Sequence, residues 1–170
     1  MPIMQLNHAV LYVRDAQRSA AFFADVLGFR RLTDTPRAVF LQAPGSTNDH
    51  DLGLFSVGDA AQPSAAGQGS VGLYHLAWEV DTLDELARLA EVLAANGSLV
   101  GATDHSRTKS LYAKDPDGIE FEVAWVVPAD LLHLEPADHT GMRTLDIARE
   151  QRRYGGSTRG GIGISVPAPA

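Results

Sequence analysis

The chain has 170 residues, 45% hydrophobic and 21% charged, which suits one domain or two small modules with a sizeable core. Its 14 basic and 21 acidic residues leave a net charge of −7, which argues against nucleic acid or an anionic membrane as partner. There is no cysteine, which excludes disulfides, thiolate zinc sites and cysteine nucleophiles and fits a reducing, cytoplasmic setting.

The N-terminal run from Met1 to His8 has neither a basic stretch nor an apolar core, so no leader peptide is expected. No segment approaches the ~18 consecutive apolar residues of a membrane helix. Residues 8–13 are strand-like. Asp15 is a plausible cap for a helix with apolar residues at 20, 23, 24 and 27, ended by Gly28. Short strands follow near 29–33, 38–43 and 52–57. Residues 59–70, small, polar and rich in breakers, read as a linker.

The pattern then restarts. A strand covers 73–80, and a helix with apolar positions 83, 86, 89, 90 and 93 runs over 82–95, closed by Asn96 and Gly97. Strands near 98–102, 109–114 and 119–126 complete a second β-α-β-β-β unit. His8 and His75 each lie two residues after a leucine and five before a valine that ends the strand. Such self-similarity governs the fold assignment. The boundaries read as a first module over 1–58, a linker over 59–70, a second module over 71–127 and a C-terminal tail over 128–170. In the tail, 128–134 suggests a short helix or turn and 144–154 an amphipathic helix. Gly155 to Ala170 is Gly- and Pro-rich and expected to be loosely held, placed to cover a site or pack on another subunit.

Within this repeat, His8, His75 and Glu122 stand out. Taken singly, each has an ordinary reading as a strand-end histidine or a solvated acidic residue. Alternation puts Glu120, Glu122 and Ala124 on one strand face and Ile119, Phe121, Val123 and Trp125 on the other. The acidic face either meets water or lines a cavity. Two imidazoles and one carboxylate, brought together by a twofold repeat, make the ligand set of a mononuclear metal site with open positions, as in non-haem Fe(II) oxygenases. The turn Asp115-Pro116-Asp117-Gly118 precedes the glutamate.

Over residues 5 to 127, and most specifically in Ser110-Leu111-Tyr112-Ala113-Lys114-Asp115-Pro116-Asp117-Gly118-Ile119-Glu120-Phe121-Glu122, the sequence resembles the vicinal oxygen chelate superfamily. That superfamily includes glyoxalase I, extradiol dioxygenases, and fosfomycin and bleomycin resistance proteins. The resemblance implies an α+β fold of paired βαβββ modules forming a U-shaped mixed sheet around a divalent metal, with His8, His75 and Glu122 on the metal positions. Glyoxalase I needs a fourth acidic ligand from the last strand of the first module. This chain has no glutamate there, only Asp49 or Asp51 as substitutes. Bleomycin-binding members generally lack the triad, and fosfomycin-modifying members share it.

His50, in His50-Asp51-Leu52-Gly53-Leu54-Phe55, resembles the extradiol histidine that serves as acid–base group beside bound oxygen, a task suited to imidazole. Tyr112, ten residues before Glu122, resembles the tyrosine that bonds the substrate oxygen. His105 resembles a histidine of a mobile segment over the site, although the family often has Gly where this chain has Ser106. Phe40, Tyr74 and Trp78 are candidates for pocket walls or for core, and His133 and His139 in the tail are expected to be exposed. The resemblance thus implies an extradiol-type dioxygenase taking Fe(II), or Mn(II) or another divalent metal, with O2 and a catechol-like aromatic as substrates, and a homodimer as the default assembly. A glyoxalase-like lyase or isomerase using Ni, Co, Zn or Mn, and a protein that sequesters a small aromatic or drug, are the alternatives.

Overall fold

The computed structural model describes residue 3 and residues 5–135 and 141–161. The described residues divide into two compact units. Unit 1 takes in Met1–Gln68 with Asp115–Ile119, and unit 2 takes in Gly69–Lys114 with Glu120–Ala170.

Unit 1 contains β1 (Ala9–Val13), α1 (Ala16–Leu27), β2 (Arg30–Thr35), β3 (Ala38–Gln42) and β4 (Leu52–Ser56). Helix α1 starts where the Asp15 carboxylate accepts from the backbone N–H of Gln17 and Arg18, and stops at Gly28, whose φ of +75° suits a residue without Cβ. Its stripe Ala16, Ala20, Phe23 and Val26 packs with Leu11 and Val13 of β1, Val39 and Leu41 of β3, and Leu52 and Leu54 of β4 as a buried core. The sheet order is β1-β4-β3-β2, with β1 parallel to β4 and the other pairs antiparallel. Period-2 alternation therefore leaves Val10 and Tyr12 of β1, Phe40 of β3, and Gly53 and Phe55 of β4 on the other face. The segment 115–119 closes on this unit. Gly118, at φ +83°, completes a turn in which the Asp115 carboxylate accepts from the N–H groups of Asp117 and Ile119, and Asp117 pairs with Arg14 and Arg18.

Unit 2 repeats the plan with β5 (His75–Glu79), α2 (Leu83–Ala95), β6 (Leu99–Asp104), β7 (Thr108–Lys114) and β8 (Glu120–Val126). Its sheet order, β5-β8-β7-β6, is that of unit 1, again with the first and last strands parallel. Helix α2 opens with Thr82 accepting from the Glu85 N–H, the Thr-x-x-Glu form of an N-terminal cap, and buries Leu83, Leu86, Leu89 and Leu93. Leu111, Ala113, Phe121, Val123 and Trp125 complete the core. Burial of such side chains contributes about 1.5–3 kcal/mol each.

The C-terminal segment is part of unit 2. A 3-10 helix spans Ala129–Leu134, β9 (Arg143–Thr144) adds to the β6 edge, and α3 (Ile147–Tyr154) packs on α2, capped by Asp146. The expectation of a loosely held end from residue 155 is corrected for 155–161. Gly156 accepts from the Asp84 N–H, the Trp125 indole N–H donates to the Thr158 carbonyl, and Gly160 donates to the Asp81 carbonyl. A Cβ on Gly160 would lie 2.8 Å from the Trp125 Nε1 and the Val126 carbonyl oxygen, so this close passage needs glycine. Residues 162–170 lie outside the described residues, as does His139. His133 is exposed, as expected, with Nδ1 2.8 Å from the Asp130 carbonyl. None of the described helices is long and apolar enough to cross a membrane.

Candidate metal centre

In unit 1, His8 lies one residue before β1 and His50 two residues before β4, strands that run side by side. The parallel pairing brings the two imidazoles to a ring separation of 4.4 Å. Phe40 meets the His50 ring edge-on at 5.0 Å. The nitrogens Nδ1 of His8 and His50 are taken up locally, by Asn7 Oδ1 at 2.7 Å and by Asp49 Oδ2 at 3.0 Å.

The loop before β4 also disposes of the two candidate fourth acids. Asp51 is 8% exposed and accepts from the Ala43 N–H, the Ser46 hydroxyl and the Asn48 amide at 2.7–2.8 Å. A carboxylate so engaged organises its loop. The Asp49 side chain is 94% exposed.

In unit 2, the β5–β8 and β8–β7 registers place Ala77 opposite Glu122 and Glu122 opposite Tyr112, so His75, Glu122 and Tyr112 share one sheet face. The His75 Nε2 lies 3.1 Å from the Glu122 Oε2, and the Tyr112 ring lies 5.7 Å from the imidazole of His75. The Tyr112 hydroxyl is 2.8 Å from the Nε2 of His105, which sits in the β6–β7 turn. Burial pushes the Tyr112 hydroxyl above its usual range, and the neighbouring Glu122 carboxylate adds to the shift, so the phenol stays protonated at neutral pH. Tyr74 is exposed with its ring 4.6 Å from that of His75, whereas Trp78 lies on the face of β5 opposite His75, in keeping with the core alternative given for it.

The structure thus gathers the predicted residues into two sets, His8 with His50, and His75 with Glu122, Tyr112 and His105. Among the described residues, no three His, Cys, Asp or Glu side chains converge at metal-holding range. The His75–Glu122 pair fits a divalent metal as two of its ligands. It offers an imidazole nitrogen and a carboxylate oxygen at one point of a rigid sheet, and the buried Nδ1 of His75 has no hydrogen-bond partner.

One group of residues was missed by the sequence reading. Lys109 is fully buried and donates to Asp104 Oδ1 at 2.7 Å, the Ser106 carbonyl at 2.8 Å and Glu135 Oε1 at 2.8 Å, with Glu150 Oε2 at 3.4 Å. Arg143, Arg149 and Arg153 rim the three carboxylates, and the Tyr154 hydroxyl donates to Glu135. Only the inward placing of Lys109 itself was legible, because it alternates with Leu111 and Ala113 and so falls on the core face of β7. Ser106 has φ +66°, a left-handed conformation that glycine adopts freely.

Comparison with known proteins follows the same division into a secure fold and a narrower chemistry. Residues 5–123 match the model of the Glyoxalase/Bleomycin resistance protein/Dioxygenase superfamily. The chain belongs to that superfamily. It is 31% identical over 119 residues to catechol-2,3-dioxygenase of Bacillus subtilis, covering 69% of this chain and 40% of that protein. It is 25% identical to the manganese-dependent 2,3-dihydroxybiphenyl 1,2-dioxygenase of Geobacillus genomosp. 3, covering 74% of this chain and 38% of that protein. The chain therefore spans about two-fifths of the length of these curated relatives. The crystal structure of a glyoxylase/bleomycin resistance protein/dioxygenase domain from Frankia sp. EAN1pec shares the fold, with a TM-score of 0.64 at 22% identity over 78% of this chain and 99% of that one.

Proposed function

We propose that the chain is an extradiol-type dioxygenase that opens a catechol-like ring with O2, using Fe(II), or Mn(II), held by His8, His75 and Glu122. The observation that carries this reading is the cluster on one face of unit 2. A metal-ligand pair, His75 and Glu122, stands beside a protonated tyrosine hydroxyl that is itself hydrogen-bonded to a histidine. A pure sequestering protein has no need of that arrangement. The dioxygenase relatives support the same chemistry, and the manganese dependence named for one of them supports Mn(II) as a substitute. The glyoxalase-like alternative loses ground because Asp51 is consumed by its own loop and the exposed Asp49 carboxylate is engaged by the His50 Nδ1.

When bound, the metal supplies a Lewis-acidic, redox-capable centre at which adjacent hydroxyls and O2 are brought together. Tyr112, protonated and braced by His105, orients an oxygen of the substrate by donating a hydrogen bond. His50 takes and returns a proton during ring opening. Its ring is held between His8 and Phe40, which leaves it little freedom to turn away.

The test is anaerobic purification with metal analysis, then oxygen uptake and yellow product from catechol and 2,3-dihydroxybiphenyl after loading with Fe(II) or Mn(II). Turnover with either metal is expected, and the His50→Phe variant should bind metal but lose about 100-fold or more in kcat. Stoichiometric Zn or Ni with no oxygen uptake overturns the reading. Tight ligand binding with no metal at all points instead to sequestration.

A further inference from the structure

The buried Lys109 network encloses the turn that carries His105. Asp104 and Ser106 flank His105 in sequence, and both are gripped by the same ammonium group. The Asp104 carboxylate also accepts from the Ser106 N–H at 2.8 Å, so the Ser106 peptide groups are held on both sides while its φ stands at +66°. Within the turn, the His105 N–H donates to the Thr108 carbonyl, and the Arg107 N–H donates to the His105 carbonyl. The His105 ring therefore leaves a backbone whose shape is set from beneath by Lys109, and reaches the Tyr112 hydroxyl on the other face of β7.

A lysine is a costly way to fill a core. Replacing a buried ion pair by apolar side chains of similar volume is often neutral or stabilising, so its presence calls for a role beyond packing. All three of its hydrogen-bonding directions are used, two on the turn and one on Glu135. Glu135 and Glu150 come from the C-terminal segment, held in turn by Tyr154, Arg153 and Arg149. Burial alone would raise the Asp104 carboxyl, but the hydrogen bonds from Lys109 and Ser106 and the charges of Lys109 and Arg143 outweigh it and hold the group below the usual range.

We propose that Lys109 is a positioning residue for the reaction: through Asp104 and the Ser106 carbonyl it fixes the turn that aims His105 at Tyr112, and the C-terminal segment serves this purpose through Glu135 and Glu150. The proposal rests on the dioxygenase reading for its kinetic consequence, but not for its structural one. Lys109 touches neither metal nor substrate, and it acts only by way of His105.

The experiment compares Lys109→Met and Asp104→Asn, each alone and in a His105→Ala background, in the full chain. Two signals are read: the 13C-tyrosine NMR resonance of Tyr112, and kcat and KM for catechol at saturating metal. Lys109→Met should shift the Tyr112 resonance toward its position in His105→Ala and lower kcat by about 10- to 100-fold, with KM changed less than about threefold. Asp104→Asn should fall between Lys109→Met and wild type and decides the matter if Lys109→Met does not fold. In the His105→Ala background neither substitution should add a further loss. A wild-type Tyr112 resonance in the folded variants, or losses that multiply in the double variants, overturns the proposal. If the wild-type protein cleaves no catechol with any metal, the dioxygenase reading fails alone, and the Tyr112 resonance still decides the role of Lys109.

Discussion

In unit 1 the two histidines stand on loops just ahead of β1 and β4 with their rings in contact, His50 also meets Phe40 edge-on, and the loop that carries His50 is organised by one carboxylate with three neutral donors. In unit 2 His75, Glu122 and Tyr112 stand on strands, and the one loop-borne group, His105, is braced by a buried lysine, three carboxylates and three rim arginines. The strand order is the same in both. A duplicated backbone thus supports two kinds of cluster, one held by ring contacts and local hydrogen bonds and the other by register and buried charge. The difference follows from the C-terminal segment. Among the described residues, that segment supplies the extra acids, Glu135 after the 3-10 helix and Glu150 in α3.

The comparison is broken most severely at the strand-borne pair His75 and Glu122. Glu122→Ala should abolish stoichiometric metal binding and lower ring-cleaving activity by on the order of 10³-fold or more, because the carboxylate is expected to hold the metal. His50→Phe should lower activity while the metal content stays at wild-type level. Metal analysis beside oxygen uptake separates the two outcomes. Equal metal content in both variants would remove the distinction between ligand and proton-transfer group.

Stability reads the bracing rather than the chemistry. Removing Lys109 as Lys109→Met leaves three buried carboxylates short of their common cation, and should destabilise the protein by about 3–5 kcal/mol. Asp51→Ala strands three donors in a part-buried loop and should cost about 2–3 kcal/mol. Urea unfolding of both variants checks the order. A larger loss at Asp51 would place the tighter brace in unit 1.

Acid and alkali act on unit 2 by opposite signs. Asp104 is held below its ordinary value of 3.8, so its contribution is complete above that pH and is lost as pH falls through the lower, folded-state value. Tyr112 and Tyr154 are both raised above the ordinary 10.0, by burial first and then by the carboxylates near them. Stability from these phenols is complete below pH 10 and is lost as pH rises through their folded-state values. Ultraviolet titration of the native protein should show two phenols resisting ionisation until the fold gives way, and the Tyr154→Phe variant should show one.

The sequence was most legible where periodicity and punctuation agree. Asp15, Gly28 and Thr82 mark helix ends by mechanisms visible in the letters alone, and the repeat of His8 and His75 predicts the shared strand order. His105 and Tyr112 are singled out separately by resemblance, and the hydrogen bond that joins them is a finding of the structure. The Lys109 network was not foreseen because its members are spread from Asp104 to Tyr154, and no local pattern links a buried lysine to acids 26 and 41 residues away. Asp51 stays ambiguous in the sequence for a different reason. A carboxylate at a plausible ligand position looks the same in sequence whether it faces a metal or caps its own loop.

The smallest effect is the most specific about bracing. Ser106 occupies a left-handed conformation that is unfavourable for a side chain by about 1–2 kcal/mol, and its hydroxyl gains only a 3.3 Å contact with Arg143. Ser106→Gly relieves that strain but gives the unfolded chain more freedom to lose, about 0.4–1 kcal/mol in the other direction. The two partly offset, so the net should be a stabilisation of no more than about 1.5 kcal/mol. The informative quantity is the difference between backgrounds. If the Asp104–Lys109 grip forces the positive φ, Ser106→Gly should stabilise the wild type more than the Lys109→Met protein, because only the gripped turn carries the strain. Urea midpoints of the four proteins measure this difference, and equal shifts in the two backgrounds would mean that the turn holds its shape without the lysine.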